Sequence, residues 1–283
     1  MKQNLGKSYK IMAVIIMIPW LVFGLAIPVS SQLPKVVKKL QQKGECRGCN
    51  LKDTDLRGLF LQNVDLRKAK LRGANLRGAN LMNADLRKAD LRDVDLRDTN
   101  LQNADLRQAK LAGANLINTQ LDEELVDPKW YLVWQIVNHS KAWTQDLSGQ
   151  NLAGANLENV NFSKTQLVKT NLEGANLKGA KLDNANLTYA KLRRANLFVA
   201  NLSHAELSYA DLGYTDLSYA NLSHANLSYV DLSHANVNYA NFSHANLKGI
   251  NLNKVVIENV NFTDVKGLPR IYNRHLQKRG IRE

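Results

Sequence analysis

The sequence predicts an all-β solenoid, a rod made of stacked square coils, and three observations support this prediction. A leucine recurs at every fifth position from Leu51 to Leu121, and a leucine or another large apolar residue does so from Leu147 to Phe262. The position two residues before it is mostly alanine, and the position directly before it is mostly Asn or Asp. A period of five fits neither regular element, because it places successive leucines about 140° apart on a helix and on alternating faces of a strand. The chain must therefore turn within every unit.

Each pentapeptide is expected to form one short side of a coil and to end in a corner. If the alanine and leucine positions point inward and the other three point outward, every leucine reaches one axial core. Four near-right-angle corners then close one coil. Successive coils are expected to lie about 4.8 Å apart, so residues four units apart become neighbours on one face. An isolated unit buries too little apolar surface to fold alone, and such units are therefore stable only in stacked arrays.

Units such as Ala74-Asn75-Leu76 and Ala84-Asp85-Leu86 resemble those of the pentapeptide repeat family. The resemblance covers residues 49 to 264, and it implies the fold of that family, a right-handed quadrilateral β-helix. The sequence therefore predicts two stacks of coils, residues 49–121 and 147–264, joined by a short helical segment. That joining segment is rich in tryptophan and is similar to segments of cyanobacterial members of the family.

The N-terminal segment, residues 1–31, predicts export or attachment to a membrane. Three lysines precede an apolar run from Ile11 to Val29, and small residues follow it, as in a secretory signal peptide. The run is also long enough to span a bilayer, so a cleaved signal and an uncleaved anchor both stay open. The repeats are then expected in an exported location, the periplasm or the thylakoid lumen, or at a membrane. Residues 32–48 are expected to form a basic linker.

Cys46 and Cys49 are the only cysteines of the chain. A redox-active Cys-x-x-Cys motif normally opens a helix in a βαβ context, and this sequence lacks that context. A disulfide that pins the first coil is expected if the protein is exported; a reduced Cys49 that points into the core is the alternative. Two cysteines are too few for a zinc site within one chain.

Residues 122–146 interrupt the repeat, and they predict a helical cap or hinge between the two arrays. Asp127 suits the N-cap of a helix and Pro128 its first position. The apolar face of this helix is expected at the spacing i, i+3, i+4 and i+7, and it consists of Trp130, Val133, Trp134 and Val137. We expect this face to cover the open end of a coil. A basic segment, residues 265–283, is expected to cap the last coil.

The outward positions predict different surfaces on the two arrays. The first array carries columns of arginine beside aspartates, which indicates solvated and locally neutralised faces. The second array carries a candidate interaction face of aromatic and imidazole columns, formed by Tyr189, Tyr209, Tyr229, His204, His224 and His244. Contiguous exposed aromatic residues often mark interfaces; rings that only stack on each other and cover backbone are the alternative. No carboxylate or thiolate is expected to complete a metal site in the histidine column, so neither a metal nor a cofactor is predicted.

The formal net charge of +13 and the pI of about 9.7 would by themselves suggest nucleic acid or an anionic membrane as partner. The excess charge lies mainly at the ends of the chain, +7 in residues 1–48 and +4 in residues 263–283, and the long second array is almost neutral. No nucleic acid partner is therefore expected, and membrane contact is expected only through the terminal segments.

Three function classes follow. The sequence favours a non-enzymatic structural or protein-interaction scaffold, exported or membrane-tethered, with a protein partner that the sequence does not identify. The resemblance implies a second class, because some pentapeptide repeat proteins mimic DNA and bind topoisomerase; the arginine columns and the leader argue against it. The third class is an enzyme or a metal-binding protein that uses the histidine column. The sequence contains no Ser/His/Asp set, carboxylate pair or phosphate-binding glycine loop that supports it.

Overall fold

The structure is a computed structural model, and it describes residues 35–139 and 142–268. The helical elements of this part are α1 (Lys35–Lys43), a 3₁₀ turn (Glu123–Leu125) and α2 (Pro128–Val137). The predicted leader, residues 1–31, lies outside the described residues, as does most of the predicted C-terminal cap, residues 265–283. Neither described helix combines the length and the apolar composition that a membrane span needs.

The β structure of the described residues consists of parallel bridges between positions twenty residues apart, such as Asn75 and Asp95. Leu76 donates its N–H to the carbonyl of Asp95 at 2.8 Å, and Asp95 donates its own N–H to the carbonyl of Ala74 at 3.1 Å. Because four pentapeptides separate the partners, four units make one coil. The first and last bridges are Glu45 to Asp65 and Asn100 to Gln120 in the first array, and Asn151 to Asn171 and Asn246 to Lys266 in the second.

Each unit turns a corner two residues after its leucine. The N–H of Ala74 donates to the carbonyl of Leu71 at 2.9 Å, and Gly73 between them has a φ of 70°. A positive φ at the third position is what a type II turn requires, and glycine and asparagine adopt it at the lowest cost. Larger residues nevertheless take the same conformation at many corners, including Tyr209 at 60° and His224 at 59°.

The leucine and alanine positions form one continuous core, as the sequence predicted. Leu207, for example, has no exposed surface. One cluster of buried side chains runs through both arrays and includes Val133 and Ile136 of α2. Threonine replaces alanine at some inward positions, and its hydroxyl is satisfied by backbone, as Thr99 donates to the carbonyl of Leu76 at 2.9 Å.

Helix α1 packs on the first coil and covers the N-terminal end of the core. Its Val37 and Leu40 are fully buried and belong to the common core cluster. Solenoids need such a cover, because the last layer of leucines would otherwise meet water. The sequence interpretation treated residues 32–48 as a linker and did not foresee this helix.

Helix α2 lies between the two arrays. The carboxylate of Asp127 accepts a hydrogen bond from the N–H of Lys129 at 3.0 Å, which caps the helix at its start. The buried residues of the helix are Trp130, Val133 and Ile136, and Trp134 and Val137 are partly buried. The helix is therefore rotated slightly from the predicted face, with Ile136 taking the deeper position expected for Val137.

The two arrays meet directly on one side of α2. There the N–H of Gly113 donates to the carbonyl of Gly154 at 2.9 Å. On another side, Asn138 at the C-terminal end of α2 makes the hydrogen bonds that a further coil would otherwise make. Its side chain accepts from the N–H of Asn118 at 2.6 Å and donates to the carbonyl of Leu116 at 3.0 Å. The backbone groups at the junction are thus satisfied partly by the second array and partly by α2. The division of the rod into two stacks stays a prediction.

Candidate functional surface on the second array

The corners of the second array carry stacks of aromatic rings, one ring per coil. Two of these stacks are the columns predicted from the sequence, Tyr189–Tyr209–Tyr229 and His204–His224–His244. Neighbouring ring centroids lie 4.9 and 5.0 Å apart in the tyrosine column and 4.7 Å apart in the histidine column, with ring planes within 13° of parallel. The spacing of the coils therefore sets a stacking distance that aromatic pairs favour.

The other two corners carry stacks as well. Tyr214 stacks on His234 at 4.4 Å, and Tyr219 stacks on Tyr239 at 4.8 Å. Because these four columns occupy four successive corners, rings surround the rod over this stretch. We call the set the aromatic collar; it consists of Tyr189, His204, Tyr209, Tyr214, Tyr219, His224, Tyr229, His234, Tyr239 and His244.

The collar presents ring edges to solvent, because neighbouring rings cover the ring faces. Tyr219 is 53% exposed, the largest exposure among its tyrosines. Cations of the chain itself cover two outer faces: the guanidinium of Arg193 lies 4.5 Å from the ring centroid of Tyr214, and the ammonium of Lys248 lies 5.8 Å from that of Tyr229. Phenol hydroxyls, ring edges and imidazole nitrogens are therefore the groups that a partner would meet.

The collar region carries net negative charge, although the protein as a whole has a formal net charge of +13. Between Arg194 and Lys248 the sequence contains no lysine or arginine and has four carboxylates, Glu206, Asp211, Asp216 and Asp231. They accept hydrogen bonds from neutral donors; Asp216, for example, accepts from the N–H of Ser218 at 3.0 Å and from the amide of Asn236 at 3.2 Å. None of the four forms an ion pair within this fully described stretch.

His224, the middle residue of the histidine column, has a lowered pKa. Desolvation by the stacked rings lowers the pKa of His224, and repulsion from His204 and His244 lowers it further. Asp264 continues this column after His244, with 3.6 Å between His244 Nδ1 and the carboxylate. Within residues 35–139 and 142–268, no group of three or more His, Cys, Asp or Glu residues is arranged to hold a metal ion.

We expect the double variant His204→Asn, His244→Asn to raise the pKa of His224, because it removes both neighbouring imidazoles. Asparagine suits the left-handed corner, so the backbone is expected to stay in place. NMR titration of the ring protons of His224 measures the change. A pKa equal to that in the unmodified protein would contradict the coupling within the column.

The lowered pKa of His224 determines how the stability of the folded protein depends on pH. The pKa of His224 is lower in the folded chain than in the unfolded chain, where it is about 6.5. The unfolded chain therefore takes up the proton first as the pH falls, and the contribution of His224 to stability is lost from about pH 6.5 downward. The double variant is expected to lose less stability over that range.

The charged columns of the first array are locally neutralised, as the sequence predicted. Arg97, for example, donates from Nε and Nη2 to the two carboxylate oxygens of Asp95 at 2.8 and 2.6 Å. Hydrogen bonding to the guanidinium lowers the pKa of Asp95. The arginines that donate in this way to the aspartate two residues earlier are Arg57, Arg67, Arg87, Arg92, Arg97 and Arg107.

One group of cations on the first array departs from this pairing. A groove of about 220 Å³ near the N-terminal end of the rod is lined by Arg47, Arg67, Lys68, Arg87 and Lys88. We call it the basic groove. The sequence interpretation missed it, although Lys68 and Lys88 lie one coil apart and could have been recognised by that spacing.

The two cysteines lie at the start of the first array and form a disulfide. The Cα atoms of Cys46 and Cys49 are 5.3 Å apart. Cys46 is buried, and its N–H donates to the carbonyl of Asp65 at 2.7 Å, the first rung of the ladder in the described chain. Cys49 is partly buried against the core. The disulfide therefore ties the first coil to the segment that leads from α1.

The chain belongs to the pentapeptide repeat family. The family model for pentapeptide repeats (8 copies) matches residues 49–87, residues 89–123 and overlapping segments that together cover residues 146–266. Proteins of this family fold as right-handed quadrilateral β-helices and are generally non-enzymatic, and the bridges and corners described above agree with that fold. No curated protein matches the sequence.

Several solved pentapeptide repeat structures are similar to this chain. HetL, involved in heterocyst differentiation regulation in the cyanobacterium Nostoc, is 28% identical, and the match covers 79% of this chain and 92% of HetL with a TM-score of 0.28. A protein of the Arabidopsis thaliana thylakoid lumen is 31% identical over 48% of this chain and 76% of its own, with a TM-score of 0.20. QnrB1, a plasmid-mediated fluoroquinolone resistance protein, is 17% identical over 78% of this chain and 96% of its own, with a TM-score of 0.29.

Proposed function

We propose that this protein is a non-enzymatic scaffold, exported or tethered to a membrane, that binds a protein partner through the aromatic collar. One observation carries the proposal: exposed rings occupy all four corners of the rod in a stretch without any lysine or arginine between Arg194 and Lys248. Tyrosine is enriched and lysine is depleted at the centres of protein interfaces. The aromatic collar, which is rich in tyrosine and lies mainly in a stretch without lysine, matches that composition.

The fold itself does not require these rings. Every collar residue lies at a corner with positive φ, where a side chain other than Gly or Asn costs about 1 kcal/mol. The first array fills one of its corner columns with Asn63, Asn83 and Asn103, and the amide of Asn83 donates to Asn63 at 3.1 Å. Asparagine thus covers a corner and links coils at lower backbone cost, so the choice of tyrosine and histidine supports a role beyond covering backbone.

The charges of the collar region indicate the kind of partner surface that would fit. Four carboxylates without ion pairs lie among the rings, and the side chains between them are mostly serine and asparagine. A partner that offers apolar contacts for the ring edges and exposed Lys or Arg at their margin would be complementary in charge. Such charges act mainly on partner choice and association rate, so binding is expected to weaken at high salt.

Two features support export or tethering. The N-terminal segment has the composition of a signal peptide or an anchor. Cys46 and Cys49 form a disulfide, and disulfides persist in oxidising compartments outside the cytosol. The arrays are proposed to form two stacks, with α2 as the cap or hinge between them.

A DNA-mimic role at a topoisomerase is the alternative. It needs a dense acidic surface, and the paired arginines and aspartates of the first array argue against it. The acidic stretch of the collar is short and is interleaved with rings. Inhibition of gyrase supercoiling by the purified protein would overturn our ranking of the two roles.

Site-specific photocrosslinking in the native host tests the proposed function. A photoreactive phenylalanine at Tyr209, in the collar, is expected to trap a protein partner, and the same group at Asn83, a corner of the first array, serves as the matched control. The trapped protein, once identified, is expected to bind the purified chain and to lose about tenfold in affinity when Tyr209 and Tyr229 become asparagine. Identical adducts from both positions, or unchanged affinity, would argue against the collar as the binding face.

A further inference from the structure

The basic groove brings together cations from three successive coils of the first array, and only some of them pair directly with a carboxylate. Its lining consists of Arg47, Arg67, Lys68, Arg87 and Lys88, and all five are positively charged. Arg67 and Arg87 donate from Nε to Asp65 and Asp85 at 2.9 Å, so these two arginines are neutralised locally.

The other three cations of the groove are less fully neutralised, although the charge of Arg47 contributes to the lowered pKa of Asp65. Among the described residues, Arg47, Lys68 and Lys88 form no ion pair. Glu45 precedes Arg47 in the same coil and also forms no ion pair within the described chain. The groove therefore has an excess of positive charge even when its carboxylate neighbours are counted.

Other corners of the first array show how the chain neutralises such charges. Arg72 donates to Asp93 at 3.0 Å, and Arg77 donates to Asp98 at 3.0 Å. In both cases an aspartate at the corner of the next coil supplies the carboxylate. At the basic groove, lysine occupies the corner instead.

This replacement places two like charges on neighbouring coils. Lys68 and Lys88 have φ values of 59° and 61°, so both adopt the left-handed corner conformation. Their backbones lie one coil apart, about 4.8 Å, and their ammonium groups repel each other. A bound anion between them would remove that repulsion.

We propose that the basic groove binds a phosphate-bearing anion. Lysine supplies compact point charges and arginine supplies planar donor forks, and phosphate oxygens accept from both. The volume of about 220 Å³ accommodates a phosphate or diphosphate group. The phosphate can belong to a soluble compound or to a lipid headgroup. The groove lies near the N-terminal end of the rod, and the apolar run from Ile11 to Val29 precedes that end in the sequence, which suits a headgroup.

Two full-length variants test this site. Lys68→Asn, Lys88→Asn removes the stacked lysines, and asparagine already occupies the neighbouring corner column at Asn63 and Asn83 with φ of 60°. The matched control is Lys164→Asn, Lys169→Asn, which removes two corner lysines with φ of 62° and 57° that lie in different columns. Circular dichroism and thermal unfolding check that both variants fold.

Pyrophosphate titrated by calorimetry and anionic phosphatidylglycerol vesicles in sedimentation are the two probes. We expect the unmodified protein and the control variant to bind equally, and the groove variant to bind about tenfold more weakly. Loss of pyrophosphate binding would assign a soluble phosphate compound as ligand; loss confined to vesicles would assign the headgroup. An equal loss in both variants, or no binding of either probe by the unmodified protein, would overturn the proposal.

Discussion

Replacing Leu207 by aspartate is expected to lower the free energy of unfolding by more than about 4 kcal/mol. Leu207 has no exposed surface and lies in the axial core of the second array. The substitution removes the burial of a leucine and places an unpaired carboxylate among apolar side chains. Because each coil packs on its two neighbours and forms hydrogen bonds with them, the coils on both sides are expected to lose their order as well. Guanidinium unfolding followed by circular dichroism measures the change.

The matched control for this variant is Tyr209→Asp, two residues further along the same unit. Tyr209 is an exposed corner with φ of 60°, and Asp53 and Asp93 occupy corners with φ of 53° and 59° in the first array. The control therefore introduces the same charge in a conformation that the fold accepts, and its unfolding midpoint is expected to fall far less than that of Leu207→Asp, because only two ring contacts are lost. Equal midpoints for the two variants would contradict the inward orientation of the leucine positions.

The period of five was sufficient to predict the interior of the rod. It assigned Leu76 and Ala74 to the core and Asn75 to an outward position, because only one orientation of each unit buries every leucine. It also predicted the ring columns, since a twenty-residue spacing brings His204 over His224. Periodic features of this kind depend only on the repeat.

The departures from the repeat could not be predicted in the same way. Helix α1 contains few apolar residues among its lysines, and its two buried residues, Val37 and Leu40, become informative only when the open end of the coil is present. The contact between Gly113 and Gly154 was equally hidden, because the step across α2 is not a multiple of five. Helix α2 packs against two arrays, and this packing rotates it so that Ile136 is buried. The sequence interpretation assigned only one apolar face to the helix and therefore did not predict the rotation.

The candidate sites also differ in how far the sequence predicted them. The collar columns were visible in the sequence, but their acidic surroundings became meaningful only once Asp216 was seen to accept from neutral donors rather than from a cation. The basic groove was missed because the sequence interpretation considered only the arginine columns beside their aspartates and not the lysines at the corners. The corner lysines Lys68 and Lys88 lie twenty residues apart, so their spacing alone would have placed them on neighbouring coils; their convergence with Arg47 became visible only in the structure.

Replacing Ile136 by aspartate is expected to uncouple the two arrays. Ile136 is 1% exposed and belongs to the core cluster that passes from one array through α2 to the other. A carboxylate there costs about 4 kcal/mol by the loss of apolar burial and the lack of a partner. The damage is local to the junction, so each array is expected to keep its own coils and to unfold in a separate transition.

Hydrogen exchange at the junction distinguishes uncoupling from general destabilisation. The N–H of Gly113, which donates to Gly154 across the junction, is expected to lose protection in Ile136→Asp, whereas Leu86, in the middle of the first array, is expected to keep it. Gln135→Asp is the matched control, because Gln135 is the exposed neighbour of Ile136 on the same helix. A single cooperative transition in Ile136→Asp, with protection lost equally at both amides, would mean that the rod folds as one unit and that α2 does not divide it. Two transitions would instead establish α2 as the element through which the arrays are coupled, and the collar and the basic groove would then lie on separately stable parts of the rod.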